Sequence, residues 1–262
     1  MPVRLMTFPA AKGDQVSSNK TETPRKPETE PLMPWSEGGK PAALRSKEYI
    51  PRPKDLVLPP EPAAAPAGPK PPRRAAAARK TRETDIQIEL ALDGGPLSIA
   101  TGLGFFNHML AALATYAGWG LTLKAEGDLE VDHHHTVEDV GLVLGDALAA
   151  CLGDYCGHSR FGSSLTVMDD ALAEVALDVG RRPYLHFQID WPQPVCGRFE
   201  MCLIEEFWRA FTLRGGLTLH LIGRHGNNSH HLAEAVFKGA GRALARALSP
   251  RSGGTLSTKG ML

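Results

Sequence analysis

Cysteine is scarce in this sequence: four thiols in 262 residues, at Cys151, Cys156, Cys196 and Cys202. Four are too few to staple a chain this long, and they fit a reduced, cytoplasmic protein. Long apolar runs are also missing. None reaches the ~18 residues of a spanning helix, so a membrane protein is not expected. The first residues lack the apolar stretch of ~7–15 that marks a secretory signal. Net charge is absent as well, with 29 basic against 29 acidic residues, but the balance conceals a division of the chain. Residues 1–80 contain no histidine and no cysteine, hold 16 of the 21 prolines, and carry 15 Lys/Arg against 8 Asp/Glu. Residues 81–262 carry 14 against 21. An acidic body argues against a nucleic-acid partner.

The division reads as two segments. In residues 1–80, stretches such as 59-PPEPAAAPAGPKPP-72 cannot sustain a helix or a central strand. Too few large apolar side chains are present to offset the entropy of ordering, so a disordered, basic tail is expected. The run 73-RRAAAARK-80 reads as its last part, a solvated linker or at most a short helix.

From Thr81 onward the residues become periodic. 84-TDIQIELALDG-94 alternates as a half-buried strand does, and 120-GLTLKAEGDLEV-131 reads as another. Apolar residues recur at helical spacing in 105–118, 136–153, 203–215 and 232–249. Strands are expected within 165–180, 184–190 and 216–223. The order helix, strand, helix occurs twice, and the repeat extends to individual residues. A shift of 96 places Gly120-Leu121-Thr122-Leu123 on Gly216-Leu217-Thr218-Leu219, His134-His135 on His230-His231, and Glu138 on Glu234. Periodicity alone could align leucines, but not two His-His-x-x-Glu units at one distance after matching strands. The body is therefore a duplicated β/α half-domain, with halves of about 81–165 and 166–262.

Each His-His-x-x-Glu unit is suited to metal binding. Successive helical residues are ~100° apart, so Glu138 shares a face with His134, four residues away, and with His135, three away. Adjacent histidines point in different directions and suit two ions rather than one. The unit His230, His231 and Glu234 repeats the arrangement. Mixed imidazole and carboxylate ligands suit Mn, Fe, Ni or Zn. His133, His158, His186 and His225 have no repeat partner and read as ordinary surface or core histidines.

With their neighbours, these residues resemble the imidazoleglycerol-phosphate dehydratase family of histidine biosynthesis. The likeness runs through 81-TRET-84, 101-TGLGFFNHML-110, 126-EGDLEVDHHHTVEDVGLVLGDAL-148, 160-RFG-162, 182-RPYL-185, 227-NNSHHLAEAVFKGAGRALARAL-248 and 257-STKG-260. It implies an α+β fold of two βαβ-type halves, of the ribosomal protein S5 domain 2-like kind, each a sheet backed by helices. It also implies a homo-oligomer of 24 subunits and a lyase that dehydrates D-erythro-imidazole glycerol phosphate to imidazole acetol phosphate. Two Mn2+ ions would sit at subunit interfaces, one held by His108, His135, Glu138 and His230, the other by His134, His231, Glu234 and Glu206. Glu83, Glu138 and Glu234 would be the catalytic carboxylates, with Glu83 also touching substrate. Arg160, Arg182, Ser257, Thr258 and Lys259 would hold the phosphate end, which suits guanidinium and ammonium groups.

Some positions depart from the family pattern. Asn107 stands for Asp, Ala111 and Ala112 for a frequent Asp-Gln, Tyr116 for His, and Asp170 for a longer Glu. Glu206 occupies a position where metal-binding members often have His. A non-catalytic paralogue acting in assembly or regulation is the alternative reading. A metal-dependent hydrolase has no support, since neither HExxH nor GxSxG is present.

Overall fold

The computed structural model describes residues 73–252 and 256–257, so the expectation for residues 1–72 lies outside the described residues. The elements follow the order β1 (Arg74–Lys80), β2 (Thr84–Ala91), β3 (Leu97–Ala100), α1 (Gly104–Ala117), β4 (Gly120–Gly127), α2 (His134–Leu152), β5 (Phe161–Met168), β6 (Ala171–Val179), β7 (Tyr184–Gln188), β8 (Val195–Cys196), β9 (Phe199–Glu200), α3 (Leu203–Gly215), β10 (Leu217–His225) and α4 (Ser229–Ala247). The first half forms a sheet of order β1-β2-β4-β3, the second a sheet of order β5-β6-β10-β7, and β8 and β9 pair as a separate hairpin. In both large sheets three strands run antiparallel and the fourth, β3 or β7, joins parallel. The duplicated α+β architecture is as expected from the repeat.

Two expected boundaries are corrected. Arg74–Lys80 is neither linker nor helix but an edge strand, antiparallel to β2 from Arg74↔Ala91 to Lys80↔Asp85. Arg79 Nε reaches Asp139 Oδ1 on α2 at 2.8 Å, and Ala77 packs against the core. Pairing overrides the helical preference of an alanine run. The halves, moreover, do not part at 165/166, inside β5. All eight residues of β5 pair with β6, so the first half ends with α2 at Leu152 and the second sheet starts at Phe161.

Each half turns its helices toward the other. α2 packs on β1 and β2 of its own sheet and on α3 of the second half, while α4 packs on β5 and β6 and on α1 of the first. Small residues permit the crossings. A Cβ on Gly145 of α2 would lie 2.8 Å from Phe211 O of α3, and one on Gly241 of α4 would lie 2.6 Å from Leu113 O of α1. Gly145 and Gly241 are themselves 96 apart, so one packing solution serves both halves. Phe207, Trp208, Phe211 and Phe237 fill the space between helices without solvent contact. α1 and α3 both stop at a glycine in the left-handed region, Gly118 at φ 71° and Gly216 at φ 62°. This exchange of helices carries His108, on α1, to the start of α4.

Candidate metal centre

Both histidine pairs open a helix, and in each the backbone N–H of the first histidine is held by the side chain two residues before it. Asp132 Oδ1 accepts from His134 N at 2.8 Å, and Asn228 Oδ1 accepts from His230 N at 2.9 Å. Asp132 and Asn228 are again 96 apart. Each bond satisfies a backbone N–H that a helix start leaves open, and at α4 Asn228 is the cap residue itself.

Three side chains converge across the helix exchange. Glu234 Oε1 lies 2.6 Å from His108 Nε2 and 3.2 Å from His230 Nε2. The ligand atoms of His108, His230 and Glu234 all fall within 4.8 Å of one another, the one such trio among the described residues. Glu234 is buried, and its second oxygen is ion-paired with Lys238, one turn along α4. Burial pushes the Glu234 carboxyl up, but hydrogen bonds from Lys238, His108 and His230 outweigh it and hold the group at about 2. Glu234 is thus a carboxylate at any ordinary pH, as a metal ligand must be. Two imidazole nitrogens and a carboxylate, gathered so closely, fit a divalent transition ion of the manganese-to-zinc series. Within one chain Glu234 faces His108 and His230, whereas the resemblance groups it with His134, His231 and Glu206 at an interface between chains. The four-residue spacing of His230 and Glu234 and the packing of α1 on α4 bring this about.

The other unit is looser. His134 Nε2 stands 3.5 Å from Glu138 Oε2, again four residues along a helix. Glu206, on the first turn of α3, lies 3.5 Å from Arg209 Nε. α3 packs on α2 as α1 does on α4, so Glu206 is the counterpart of His108 in the second half. The second histidine of each pair has a carboxylate on its Nδ1. Asp128 is at 3.1 and 3.2 Å from that of His135, and Asp170 at 2.6 Å from that of His231. Both rings are pushed up from the usual imidazole range, chiefly by these hydrogen bonds. Around His231 Nε2 lie Asn228 Nδ2 at 3.4 Å and Asp169 Oδ2 at 3.5 Å.

Glu83 sits beside His135, with its carboxylate 3.9 Å from His135 Nδ1. Its backbone is held from both sides: Glu83 N donates to Thr81 Oγ1 at 3.1 Å, and Asp128 N donates to Glu83 O at 3.0 Å. Arg160 and Arg182 come together at Asp178. Arg160 reaches its carboxylate at 2.6 and 2.8 Å, and Arg182 Nη2 stands at 3.7 Å. Arg160 holds φ at 70°, an uncommon value for a side-chain-bearing residue, pinned by Arg160 N to Ala247 O at 2.8 Å and Val179 N to Arg160 O at 2.9 Å. Its Nη1 also donates to Leu256 O, which ties it to the segment holding Ser257. Thr258 and Lys259 lie outside the described residues.

The family model described as imidazoleglycerol-phosphate dehydratase matches residues 101–244. The protein named imidazoleglycerol-phosphate dehydratase in Acidiphilium cryptum is 50% identical over 194 residues, covering 72% of this chain and 99% of its own length. The chain belongs to the imidazoleglycerol-phosphate dehydratase family. The relative of that name from Desulfotalea psychrophila is 48% identical over 192 residues, covering 72% of this chain and 96% of itself. The crystal structure of imidazoleglycerol-phosphate dehydratase from Staphylococcus aureus overlays with a TM-score of 0.63 at 36% identity, spanning 68% of this chain and 99% of that one.

Within this dehydratase fold, the side chains of Lys238 and Glu200 also stand at the centre. Lys238 could have been noticed, since it follows Glu234 by four residues on one helical face. Glu200 could not. It arrives from the β8–β9 hairpin to meet His133 Nδ1 at 2.9 Å, 67 residues away. Its neighbour Phe199 stacks on His133 and touches Phe105, whose ring lies edge-on to His230. One short hairpin thus braces the starts of both histidine-bearing helices.

Proposed function

We propose that this chain is an imidazoleglycerol-phosphate dehydratase, a hydro-lyase of histidine biosynthesis, with Mn2+ held by imidazole and carboxylate groups. The observation that carries the reading is the His108, His230 and Glu234 trio, assembled from both halves within 4.8 Å. In this reading one ion takes His108, His230 and Glu234 together with His135. The other takes His134, Glu138 and Glu206 together with His231. His135 and His231 stand outside the trio of their own chain, which supports ions shared between copies of a homo-oligomer, the 24-subunit particle of the resemblance. Among the described residues no helix is long and apolar enough to cross a membrane.

The chemistry removes a proton from one substrate carbon and hydroxide from its neighbour, and the two leave together as water. Bound metal would favour the imidazolate form of the substrate ring, whose electrons help expel the hydroxyl from the carbon beside it. In this reading Glu83 carries the proton. It projects from the turn entering β2 with its main chain held by Thr81 and Asp128, so its carboxylate is directed without being buried. Arg160 and Arg182 would hold the phosphate, Arg160 being immobilised in advance by Asp178. Ser257, Thr258 and Lys259 complete that end of the site in this reading.

Purified protein loaded with Mn2+ is expected to turn over imidazole glycerol phosphate. Glu83→Gln should lower kcat by about 100-fold or more, with the metal content unchanged. The pairing of Glu206 with Arg209, at the position where the resemblance leads one to expect His, favours the non-catalytic paralogue as a second reading. Absence of turnover in the wild type, with activity appearing in Glu206→His, would establish that alternative.

A further inference from the structure

The two carboxylates on the second histidines are not related by the duplication. Asp128 comes from the turn after β4, seven residues before His135. Asp170 comes from the β5–β6 turn, 61 residues before His231. The position 96 after Asp128 is Arg224, which pairs with Glu174 instead. Two unrelated turns have therefore converged on one arrangement: a carboxylate on Nδ1 of the second histidine, in both halves.

From this geometry we infer that Asp128 and Asp170 are positioning residues that fix the tautomer and ring direction of His135 and His231. This rests on the reading of these histidines as metal ligands. A carboxylate only accepts, so Nδ1 must carry the proton and Nε2 the lone pair. At His231 Nε2 a donor, Asn228 Nδ2 at 3.4 Å, and an acceptor, Asp169 Oδ2 at 3.5 Å, offset one another, so the short bond from Nδ1 to Asp170 is the one that orients the ring. A metal-ligating imidazole is ordinarily held by such an outer partner. The two turns are also anchored. Asp128 N donates to Glu83 O at 3.0 Å, and Asp170 Oδ2 accepts from Asn227 N at 2.6 Å. Asp128 thereby links the ring of His135 to the main chain of the proton-carrying residue. Asp170 links the ring of His231 to Asn227, the residue before the cap of its own helix.

The test is Mn2+ titration of the metal-free, full-length protein, with free Mn2+ measured by electron paramagnetic resonance and folding checked by circular dichroism. Wild type is expected to bind two ions per chain. Asp128→Ala should weaken one of them by about 10–100-fold, Asp170→Ala should weaken the other, and the double variant both. Asp128→Asn and Asp170→Asn should lose less, since an amide oxygen still accepts from Nδ1; they also keep the shape of the turn if an alanine variant fails to fold. Wild-type affinity for both ions in all four folded single variants would overturn the assignment. An equal loss at both ions from each single variant would show a general structural role, and would overturn it too. A wild-type chain that binds no Mn2+ removes the metal reading itself, a result visible before any variant is made.

Discussion

His158 is 7% exposed, sits where the chain forms a bridge to Pro250, and has no partner for its buried Nε2. Burial pushes its pKa below the ordinary 6.5, against backbone hydrogen bonds to Val179 and Cys156 that act the other way, while Arg73 and Arg160 add to the lowering. A histidine with a lowered folded pKa takes its proton more readily when unfolded. Its contribution to stability is complete above pH 6.5 and is lost as pH falls through the folded value. His135 and His231, with raised values, act in the opposite sense: theirs is present below 6.5 and lost as pH rises through their folded values. Comparison with His158→Gln isolates the buried ring. The melting temperature of wild type should fall more steeply than that of His158→Gln from about pH 7 to about pH 5. Parallel curves would show that His158 takes up its proton without cost. What could be read in advance at this scale follows the same division by distance. His230 and Glu234 were legible because four residues make one helical turn. The partners Asp170 and Glu200 were not, because turns and hairpins bring them from 61 and 67 residues away.

β1 shows the corresponding limit for elements. Its five central residues, Ala75 to Ala78 and Arg79, have no strand periodicity and favour a helix when isolated. Only the free edge of β2 makes them a strand, and no local pattern announces an edge. The four helices and the central strands were legible because each buries one face with the proper period. β3 was missed, being four residues long and largely exposed. β1 nonetheless holds the first half together. Arg79 binds Asp139, which also accepts from Thr84 Oγ1, and Arg73 Nη1 donates to Leu248 O at 2.6 Å just beyond α4. Two truncations separate strand from tail. A protein starting at Arg73 retains these bonds, and one starting at Thr81 loses the strand and exposes the edge of β2. The shorter protein should be less stable by about 2 kcal/mol or more, which for a body this size lowers the melting temperature by about 4–8 °C relative to the longer. Equal melting temperatures would show that β1 adds nothing to the fold.

For the whole molecule, the face of the second sheet turned away from the helices is the apolar one. Phe161, Leu165, Val167 and Tyr184 lie on it, each more than half exposed, beside the rings of His186 and His220. Ser164 and Thr166 alternate with these on β5 and are buried toward α4, so the exposure is a property of one face and not of the strand. The corresponding face of the first sheet carries Gln87, Glu89, Thr122 and Lys124. Exposed apolar side chains grouped in this way mark a surface that another chain covers, and a second copy is the occupant that the proposed sharing of metal ligands calls for. The two features make one prediction. Leu165→Glu with Val167→Glu changes only outward side chains, so each chain should keep its circular dichroism and its core. The assembled particle should break into smaller species by light scattering. If ligands are shared between copies, bound Mn2+ should fall as well, although no ligand has been altered. Chelation of wild type should produce the same smaller species from the opposite direction. Retention of the full particle and of two ions per chain in the double variant would show that this face is not where copies meet. Loss of the particle with both ions retained would show that each chain completes its metal centre alone.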